Sequence, residues 1–167
     1  GGLFDSPGGY GHLNDLWKYD PGIGQWSWMG GSDSIDQLGV YGTLGTPAPG
    51  NTPGARESSV SWTDGNGKRW LFGGAGRSAG DQGVLKVLND LWRFDPAIGQ
   101  WAWMGGSNAP NQSGSYGTLG TPSAGNVPGA RYMSVSWTDG GEKLWLFGGW
   151  GFGPTPLDGG LSDLWSY

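Results

Sequence analysis

The side chains that most often do chemistry in proteins are scarce in this chain. It has one histidine, His12, and no cysteine. A zinc site with three protein ligands, a Ser-His-Asp triad and a cysteine nucleophile therefore lack residues that they need. Asp33, Asp36, Asp81 and Asp158 offer oxygen ligands for calcium, but their spacing matches no dedicated calcium loop. The sequence predicts no catalytic site, no metal site and no cofactor.

Charge and composition restrict the partners. The formal net charge is −5, and the nine Lys and Arg residues form no basic run, so we expect neither a nucleic-acid partner nor an anionic membrane. No apolar run approaches the roughly 18 to 20 residues of a membrane span. The 37 glycines and 11 prolines indicate many turns, while the 12 tryptophans argue against a disordered chain. Together these features predict a turn-rich all-β protein.

The chain repeats itself with a period of 75 residues. Residues 14–31 read NDLWKYDPGIGQWSWMGG and residues 89–106 read NDLWRFDPAIGQWAWMGG, with four conservative differences. The same offset relates Arg56 to Arg131 and Trp62 to Trp137. A third copy begins at residues 161–167, where LSDLWSY matches the LNDLWKY of residues 13–19. The elements that position any site must therefore recur along the chain.

Each repeat contains four short segments with strand character. In the second copy, residues 131–137 and the continuously apolar residues 143–147 are joined by a tight Asp-Gly turn. An Asp-Leu-Trp segment, an Asp-Pro turn and a Trp-rich segment at 100–104 represent the third and fourth strands. We predict a four-stranded antiparallel meander with the Gly-Gly doublet at the end of its second strand. Helix should be nearly absent, because Gly and Pro interrupt the chain too often.

These residues carry a family resemblance. A strand ending in Leu-Phe-Gly-Gly, then Asn-Asp-Leu-Trp-x-(Phe/Tyr)-Asp-Pro, then a further Trp resembles the kelch motif, as does Pro-Gly-Ala-Arg before the first strand. The sequence of the repeat is similar to the kelch or "galactose oxidase central domain" repeats of secreted bacterial proteins. The resemblance implies a β-propeller in which each repeat forms one blade. It is confined to the propeller repeat, because the copper site of galactose oxidase needs a cysteine.

The predicted fold class is an all-β array of kelch-type β-propeller blades, with about two blades and a partial third. Residues 1–30 are a partial blade, residues 31–106 a blade with a long entry loop, and residues 107–167 a blade without its last strand. We count two strands before Arg56, four from Arg56 to Met104 and three after Arg131. Since propellers have typically four to eight blades, we expect an excerpt of a longer array. A ring or fibre of self-assembled short chains is the alternative.

The residues beyond the usual kelch length of about 50 fall in two kinds of loop. One runs from Met29 to Ala55, and again from Met104 to Ala130, before the first strand of a blade. The other is a variable segment after the Gly-Gly doublet, at 3–12, 75–83 and 150–158. In a meander both connections emerge on one face, which we call the loop face. The YGTLGTP sequence recurs unchanged at 41–47 and 116–122, so we expect it to pack in a fixed conformation.

Most of the repeated aromatic and charged residues have a structural interpretation. Eleven of the 12 tryptophans occupy repeated positions, as a blade core requires, and Trp150 is the exception, in the variable loop. The resemblance places Arg56 and Arg131 near the mouth of a central channel, where they could receive an anionic group. The alternative, which we favour, is pairing within the blade with Asp15, Asp90 or Asp163. The repeated Asn-Asp is interpreted as a turn and cap device.

If the chain binds a partner, we expect the contacts on the loop face, because loops vary without disturbing the blade core. The candidate ligand contacts are Tyr10, Arg77 and Trp150, with Arg56 and Arg131 behind them. The expected function is a non-catalytic extracellular or cell-surface module for binding, adhesion or scaffolding that recognises protein or glycan. An accessory propeller of a larger secreted copper oxidase or glycosidase is the alternative. Further partners would be the remaining blades of a longer chain or other copies.

Overall fold

The computed structural model describes residues 2–6, 9–80, 85–141 and 143–167, with the backbone alone for residues 3–6 and 9–10. Every regular element in these residues is a β-strand, so the all-β prediction is confirmed. Accordingly, no described helix could cross a membrane. The strands are β1 (Gly2–Ser6), β2 (Gly9–Leu13), β3 (Leu16–Asp20), β4 (Gln25–Gly30), β5 (Arg56–Glu57), β6 (Val60–Thr63), β7 (Arg69–Gly76), β8 (Lys86–Asp95), β9 (Gln100–Gly105), β10 (Arg131–Tyr132), β11 (Val135–Thr138), β12 (Leu144–Phe152) and β13 (Asp158–Ser166).

The middle sheet is the predicted meander in complete form. β5 and β6 both pair with β7, β7 pairs with β8, and β8 pairs with β9, all antiparallel. β5 and β6 are two halves of one first strand. They are separated at Ser58, whose φ of 53° lies in the left-handed region. The sheet formed by β10 to β13, which we call the third sheet, repeats this arrangement. β10 and β11 are separated at Met133 (φ 55°), and β12 and β13 follow.

The first copy differs from the prediction. We expected two strands before Arg56 and a variable loop over residues 3–12, but β1 and β2 form an antiparallel hairpin there. β3 and β4 form a second two-stranded sheet. The prediction was wrong because residues 3–12 carry no alternating pattern of their own. Their strand character comes from backbone pairing, which the residue types do not report.

The Gly-Gly doublet lies inside a strand rather than at its end, which corrects a second prediction. β7 runs on through Gly73 and Gly74 to Gly76, with a register shift between Phe72 and Gly74. The doublet has φ values of 61° and 100°, which glycine adopts without a steric cost. A Cβ at Gly74 would lie 2.6 Å from the carbonyl oxygen of Glu57. The glycines therefore permit a bulge that lets the strand continue into the loop face.

The middle and third sheets stack face to face, and the core lies between them. Buried residues of the middle sheet pack there against Leu144 and Leu146 of β12. The middle-sheet members of this core are Val60, Trp62, Trp70, Phe72 and Leu91. Four of their counterparts on the outer face of the third sheet, Val135, Trp137, Phe147 and Leu164, are 42% to 60% exposed. Burial of residues 143–147 on both faces was thus a wrong prediction, because no described sheet covers that face.

Short turns close the end of the sheets opposite the loop face. The Asp64 carboxylate accepts hydrogen bonds from the backbone N–H groups of Asn66 and Lys68 and from the Trp70 indole. Asp139 makes the same three contacts in the third sheet. The Asp-Gly hairpins are confirmed, and the repeated aspartate also satisfies a core tryptophan. Since strand direction alternates, β7 and β9 end and β8 and β10 begin together at the other end.

A substitution in the Gly-Gly doublet tests the role of the bulge. Gly74→Ala is expected to lower the free energy of unfolding by roughly 3 kcal/mol or more, since it combines a left-handed φ with a backbone clash. Gly99→Ala is the matched control, because Gly99 has φ 66° and open space around its Cβ position. Its expected cost is only about 1 kcal/mol. Urea unfolding measures both, and equal losses would contradict the clash.

Candidate functional site

A buried carboxylate organises the middle sheet and its entry loop. Arg56 donates from Nη1 and Nη2 to the two carboxylate oxygens of Asp90, at 2.7 Å each. The Tyr41 hydroxyl (2.8 Å) and the Trp92 indole (2.7 Å) both donate to Oδ2 of the same carboxylate. Asp90 is 0% exposed. We call this set the Asp90 hub; it joins the first strand, the third strand and the entry loop of one blade.

Each nitrogen of the Arg56 guanidinium has a hydrogen-bond partner. Arg56 Nε donates to the carbonyl oxygen of Gly54 at 3.0 Å, and Nη1 donates also to that of Gly73 at 3.1 Å. Burial lowers the pKa of Arg56, but the adjacent Asp90 carboxylate outweighs it and holds the pKa above the usual value. Burial and the same carboxylate raise the pKa of Tyr41. The hub is thus an ion pair between Arg56 and Asp90, to which the neutral phenol of Tyr41 donates a hydrogen bond.

The third blade contains the same hub around Asp163. Arg131 donates to both oxygens of Asp163 at 2.6 and 2.8 Å, and Tyr116 (2.6 Å) and Trp165 (2.7 Å) donate to Oδ2. Burial raises the pKa of Asp163, but the hydrogen bonds from Arg131, Tyr116 and Trp165 outweigh it and lower the pKa to about 2. The carboxylate is therefore ionised across the physiological range.

These hubs determine where two of the candidate contacts lie. Arg56 and Arg131 are 5% and 1% exposed and pair with Asp90 and Asp163. This is the pairing within the blade that the sequence favoured over an anion-binding ring. In the first copy, Asp15 accepts a hydrogen bond from the Trp17 indole at 2.7 Å, which reproduces one part of the hub. The repeated Arg, Asp and Trp are accounted for by folding.

The repeated asparagine does not form a turn or cap, which corrects that prediction. Asn89 lies in β8, where Oδ1 accepts from the Ser107 N–H (3.1 Å) and Nδ2 donates to the Pro128 carbonyl (3.2 Å). Asn14 makes the equivalent bonds to residues 32 and 53. Each asparagine therefore holds both ends of a long entry loop against the third strand of the preceding repeat.

The first entry loop packs in a fixed conformation, as its repeated sequence predicted. The Tyr41 ring lies 4.9 Å from the Trp92 ring and 5.3 Å from the Trp103 ring. The Gly45 N–H donates to the carbonyl oxygen of Trp103 at 2.7 Å. The loop therefore packs against the middle sheet and forms a wall of the loop face.

A cluster of charged residues lies where the first repeat meets the middle sheet; we call it the charged junction. Arg77 Nη2 lies 3.1 Å from Asp36 Oδ2. His12 lies between two carboxylates, with Nδ1 3.7 Å from Asp36 Oδ1 and Nε2 3.7 Å from Glu57 Oε1. Burial raises the pKa of Asp36, but hydrogen bonds from Arg77 and the His12 N–H outweigh it and hold the pKa below its usual value.

The backbone at this junction is the same at the next one, but the side chains are not. The Asp36 N–H donates to the His12 carbonyl and the Asn111 N–H to the Val87 carbonyl, both at 2.7 Å. Asp36 and Asn111 have left-handed φ values of 59° and 58°. At the second junction the counterparts of the charged junction are Val87, Asn111, Tyr132 and Phe152. All four charged or titratable positions thus become neutral together, on an unchanged frame.

The charged junction also contains polar atoms without partners. His12 is 4% exposed, and its Nε2 makes no hydrogen bond. Arg77 Nε and the hydroxyl of the fully buried Ser78 also make none. A buried polar atom without a partner costs about 1 to 3 kcal/mol. Such atoms are rare in folded proteins, so this junction is the place in the described structure where side-chain chemistry exceeds what folding needs.

The junction contains one of the candidate contacts that the sequence proposed. Arg77 belongs to it, whereas Trp150 lies in β12, opposite Gly160, and is 48% exposed. The prediction that Trp150 lies in a loop was wrong, and no hydrogen bond or ion pair joins it to Arg77. The backbone of Tyr10 lies in β2, while its side chain is outside what the structure describes.

Sequence reasoning missed the other three members of the junction. His12 was set aside because it had no copy in the other repeats, and Asp36 and Glu57 were not taken as contacts. The signal was present, since each of them stands opposite a neutral residue 75 positions on. What the sequence did not show is that these positions touch. In the described parts of the chain no three His, Asp or Glu side chains are arranged to hold a metal ion.

The middle hub gives a stability prediction. Asp90→Asn leaves Arg56 buried opposite a neutral amide and is expected to cost about 3 to 5 kcal/mol, as for other broken buried pairs. Asp33→Asn, at an exposed loop position, should change stability by less than about 0.5 kcal/mol. Denaturant unfolding measures both. A cost at Asp90 close to that at Asp33 would show that the hub does not hold the blade.

The second hub gives a pH prediction. The folded-state pKa of Asp163 is about 2, below the value of 3.8 for an unperturbed aspartate. Its contribution, about 2 kcal/mol, is therefore complete above pH 4 and is lost as the pH falls from about 4 to 2. Thermal melts over this range should show a shallower decline in Asp163→Asn than in the wild type. Parallel declines would assign the acid sensitivity to other carboxylates.

Comparison with known proteins adds a structural neighbour and no family. No family model and no curated protein match the sequence. Among solved structures, the chain is similar to one described as "Structure of YjhT", with a TM-score of 0.49 and 19% sequence identity. The match covers 83% of this chain and 28% of that one, so the chain spans less than a third of its length. The fold that the structure itself shows is an all-β arrangement of antiparallel sheets.

Proposed function

We propose that the chain is a kelch-type β-propeller array that serves as a non-catalytic extracellular or cell-surface module. It binds or scaffolds, and it recognises protein or glycan through the loop face. The observation that carries the proposal is the charged junction, because there the repeats differ together on an unchanged backbone frame. Independent drift would change such positions one by one.

The stacking of the sheets supports the propeller. The Trp62 indole of the middle sheet donates to the Trp145 carbonyl of the third sheet at 2.9 Å. Its counterpart Trp137 lies on the exposed outer face, 42% exposed. Val60 is 8% exposed and its counterpart Val135 is 60% exposed. A further blade of the same kind, in a longer chain or another copy, would cover this face as the third sheet covers the middle one.

The chemistry of the junction supports recognition of polar groups. The side chains of Asp36 and Glu57 are 31% and 35% exposed, while Arg77 below them is 14% exposed. Partly exposed carboxylates, of which Asp36 is paired with the half-buried Arg77, accept hydrogen bonds from sugar hydroxyls or from the ammonium and guanidinium groups of a protein. The non-catalytic part of the proposal rests on His12. It faces two carboxylates, and no hydroxyl nucleophile is hydrogen-bonded to it among the described residues.

The second junction supplies a substitution set that tests this function. The quadruple variant His12→Val, Asp36→Asn, Glu57→Tyr and Arg77→Phe places the side chains of one junction on the matching backbone of the other. We expect it to keep a melting temperature near the wild-type value and to lose binding on a glycan array and on a panel of immobilised matrix proteins. The reason is that only the charges that contact the ligand have been removed.

Asp33→Asn is the matched control, because it changes the formal charge by the same single unit at an exposed loop position. It should bind like the wild type. Equal binding by the quadruple variant and the wild type would place recognition elsewhere. A large loss of melting temperature in the variant would indicate that the junction serves stability.

A further inference from the structure

The imidazole of His12 occupies a fixed place in the charged junction. His12 is the only histidine of the chain, and it is almost completely buried. The His12 N–H donates to Asp36 Oδ1 at 3.1 Å, and the Asp36 N–H donates to the His12 carbonyl at 2.7 Å. The strand that carries the ring is thus tied to the entry loop, so the fold determines what the two ring nitrogens face.

A carboxylate faces each nitrogen of the ring. Nδ1 lies 3.7 Å from Asp36 Oδ1, and Nε2 lies 3.7 Å from Glu57 Oε1. Neither separation is a hydrogen bond, since N–H···O bonds are about 2.7 to 3.2 Å long. A neutral imidazole has one N–H and one lone pair, whereas an ionised carboxylate only accepts. One side of a neutral ring therefore sets two acceptors against each other, and in this structure Nε2 makes no hydrogen bond.

A second proton on the imidazole removes this mismatch. The imidazolium donates from both nitrogens, and a movement of about 1 Å on each side would bring the atoms to the length of a charge-assisted hydrogen bond. Glu57 has room for this movement, because its side chain is 35% exposed and no hydrogen bond from a described residue holds its carboxylate. Histidine is also the side chain that changes charge between about pH 5 and pH 8.

Charges from the other packed elements also act on the ring. Arg77, just beyond β7, has Nη2 3.1 Å from Asp36 Oδ2 and opposes a positive charge on His12. Burial raises the pKa of Asp36, but hydrogen bonds from Arg77 and the His12 N–H outweigh it and keep the pKa below 3.8, so this carboxylate is ionised at pH 5. Tyr10 lies two residues from His12 in β2, opposite Asp5 in β1, and the side chains of both are outside what the structure describes.

The fold requires only part of this arrangement. In the next junction Asn111 Oδ1 accepts from the Val87 N–H at 3.0 Å, as Asp36 Oδ1 accepts from the His12 N–H. A tyrosine stands there at the position of the glutamate. One acceptor on the entry loop is thus sufficient to hold the loop to the strand. Neither the imidazole nor the second carboxylate is needed for that purpose.

We propose that His12 is a proton-operated switch of the charged junction, and that acid closes the junction. With a neutral imidazole, the carboxylates of Asp36 and Glu57 are available to a ligand. With an imidazolium, both carboxylates are engaged by His12. Ligand and proton then compete, so binding weakens as the pH falls, by at most about tenfold per pH unit because one proton is taken up. The effect on binding rests on the proposed function, whereas the switch itself is a property of the chain.

Nuclear magnetic resonance on the full 167-residue chain tests the switch without a ligand, since the imidazole signals come from a single histidine. At about pH 5 we expect both ring N–H protons to be protected from exchange with solvent. The carboxyl carbons of Asp36 and Glu57 should shift with pH along the same curve as the imidazole. Asp33, in the same loop, is the internal control and should not follow it. An imidazole that keeps its charge from about pH 8 to pH 5, or carboxyl carbons that do not follow it, would overturn the proposal.

Two variants identify the partner of Nε2. Glu57→Leu removes the acceptor, so the Nε2 proton should lose its protection while the carboxyl carbon of Asp36 still follows the imidazole. Asp5→Asn is the control on the neighbouring strand and should keep the Nε2 proton protected. Equal protection in Glu57→Leu and the wild type would show that Glu57 is not the partner, and the assignment would then be wrong.

The effect on recognition is measured on the same glycan array and matrix-protein panel, at about pH 7.5 and about pH 5.5. Signals that the quadruple variant loses should fall roughly three- to thirtyfold in the wild type at the lower pH. Equal signals at both pH values would contradict control of binding by His12 and leave the proposed function in place. If no signal depends on the junction, the proposed function fails, and the resonance experiment still decides whether the switch exists.

Discussion

The buried pair of Arg56 and Asp90 is the interaction on which the middle blade depends. Two opposite charges removed from water are tolerated only when their remaining hydrogen-bonding capacity is filled. Tyr41 and Trp92 donate further hydrogen bonds to the carboxylate, and two backbone carbonyls accept further hydrogen bonds from the guanidinium. Since these groups come from the first strand, the third strand and the entry loop, satisfying one carboxylate fixes three parts of the chain. In the third sheet, Arg131 and Asp163 form the same kind of pair.

This requirement explains how the entry loops are held in one conformation despite their many glycines. Tyr41 and Tyr116 tie each entry loop to a hub, and Asn89 ties the ends of the second loop to β8. A loop held at both ends and in the middle presents the same frame in each repeat. Side chains can then differ at the junctions between repeats without altering the backbone, as His12 and Val87 do.

The exposed tryptophans illustrate that burial is a property of neighbours. Trp92 is fully buried, while its counterpart Trp17 in the first repeat is 49% exposed. Trp62 and Trp137 differ in the same way, at 8% and 42%. For Trp62 and Trp137, whose strands β6 and β11 are paired alike, the difference comes from what covers the face. For Trp17, the strand β3 also lacks, among the described strands, the second neighbour that β8 has in β7. The exposed outer face of the third sheet follows from one fact, that a repeat buries its surface only against another repeat.

The sequence alone was sufficient for the fold class, the period and the short turns, because these depend on local chemistry. Gly and Asn permit tight turns, and recurring tryptophans indicate a repeated core. It also favoured the pairing of Arg56 within its blade. It did not place the hairpin β1–β2 or the bulge at Gly73, since backbone pairing leaves no mark in residue type.

Nor could the sequence bring His12, Asp36 and Glu57 to one junction. These residues are 24 and 21 positions apart along the chain and belong to a strand, an entry loop and the next sheet. Their contact exists only because the entry loop folds back onto β2 before the chain enters β5. A charged cluster of this kind is made by the packing of one repeat on the next. Only the tertiary structure could therefore decide which of the chain's scattered charges share a site.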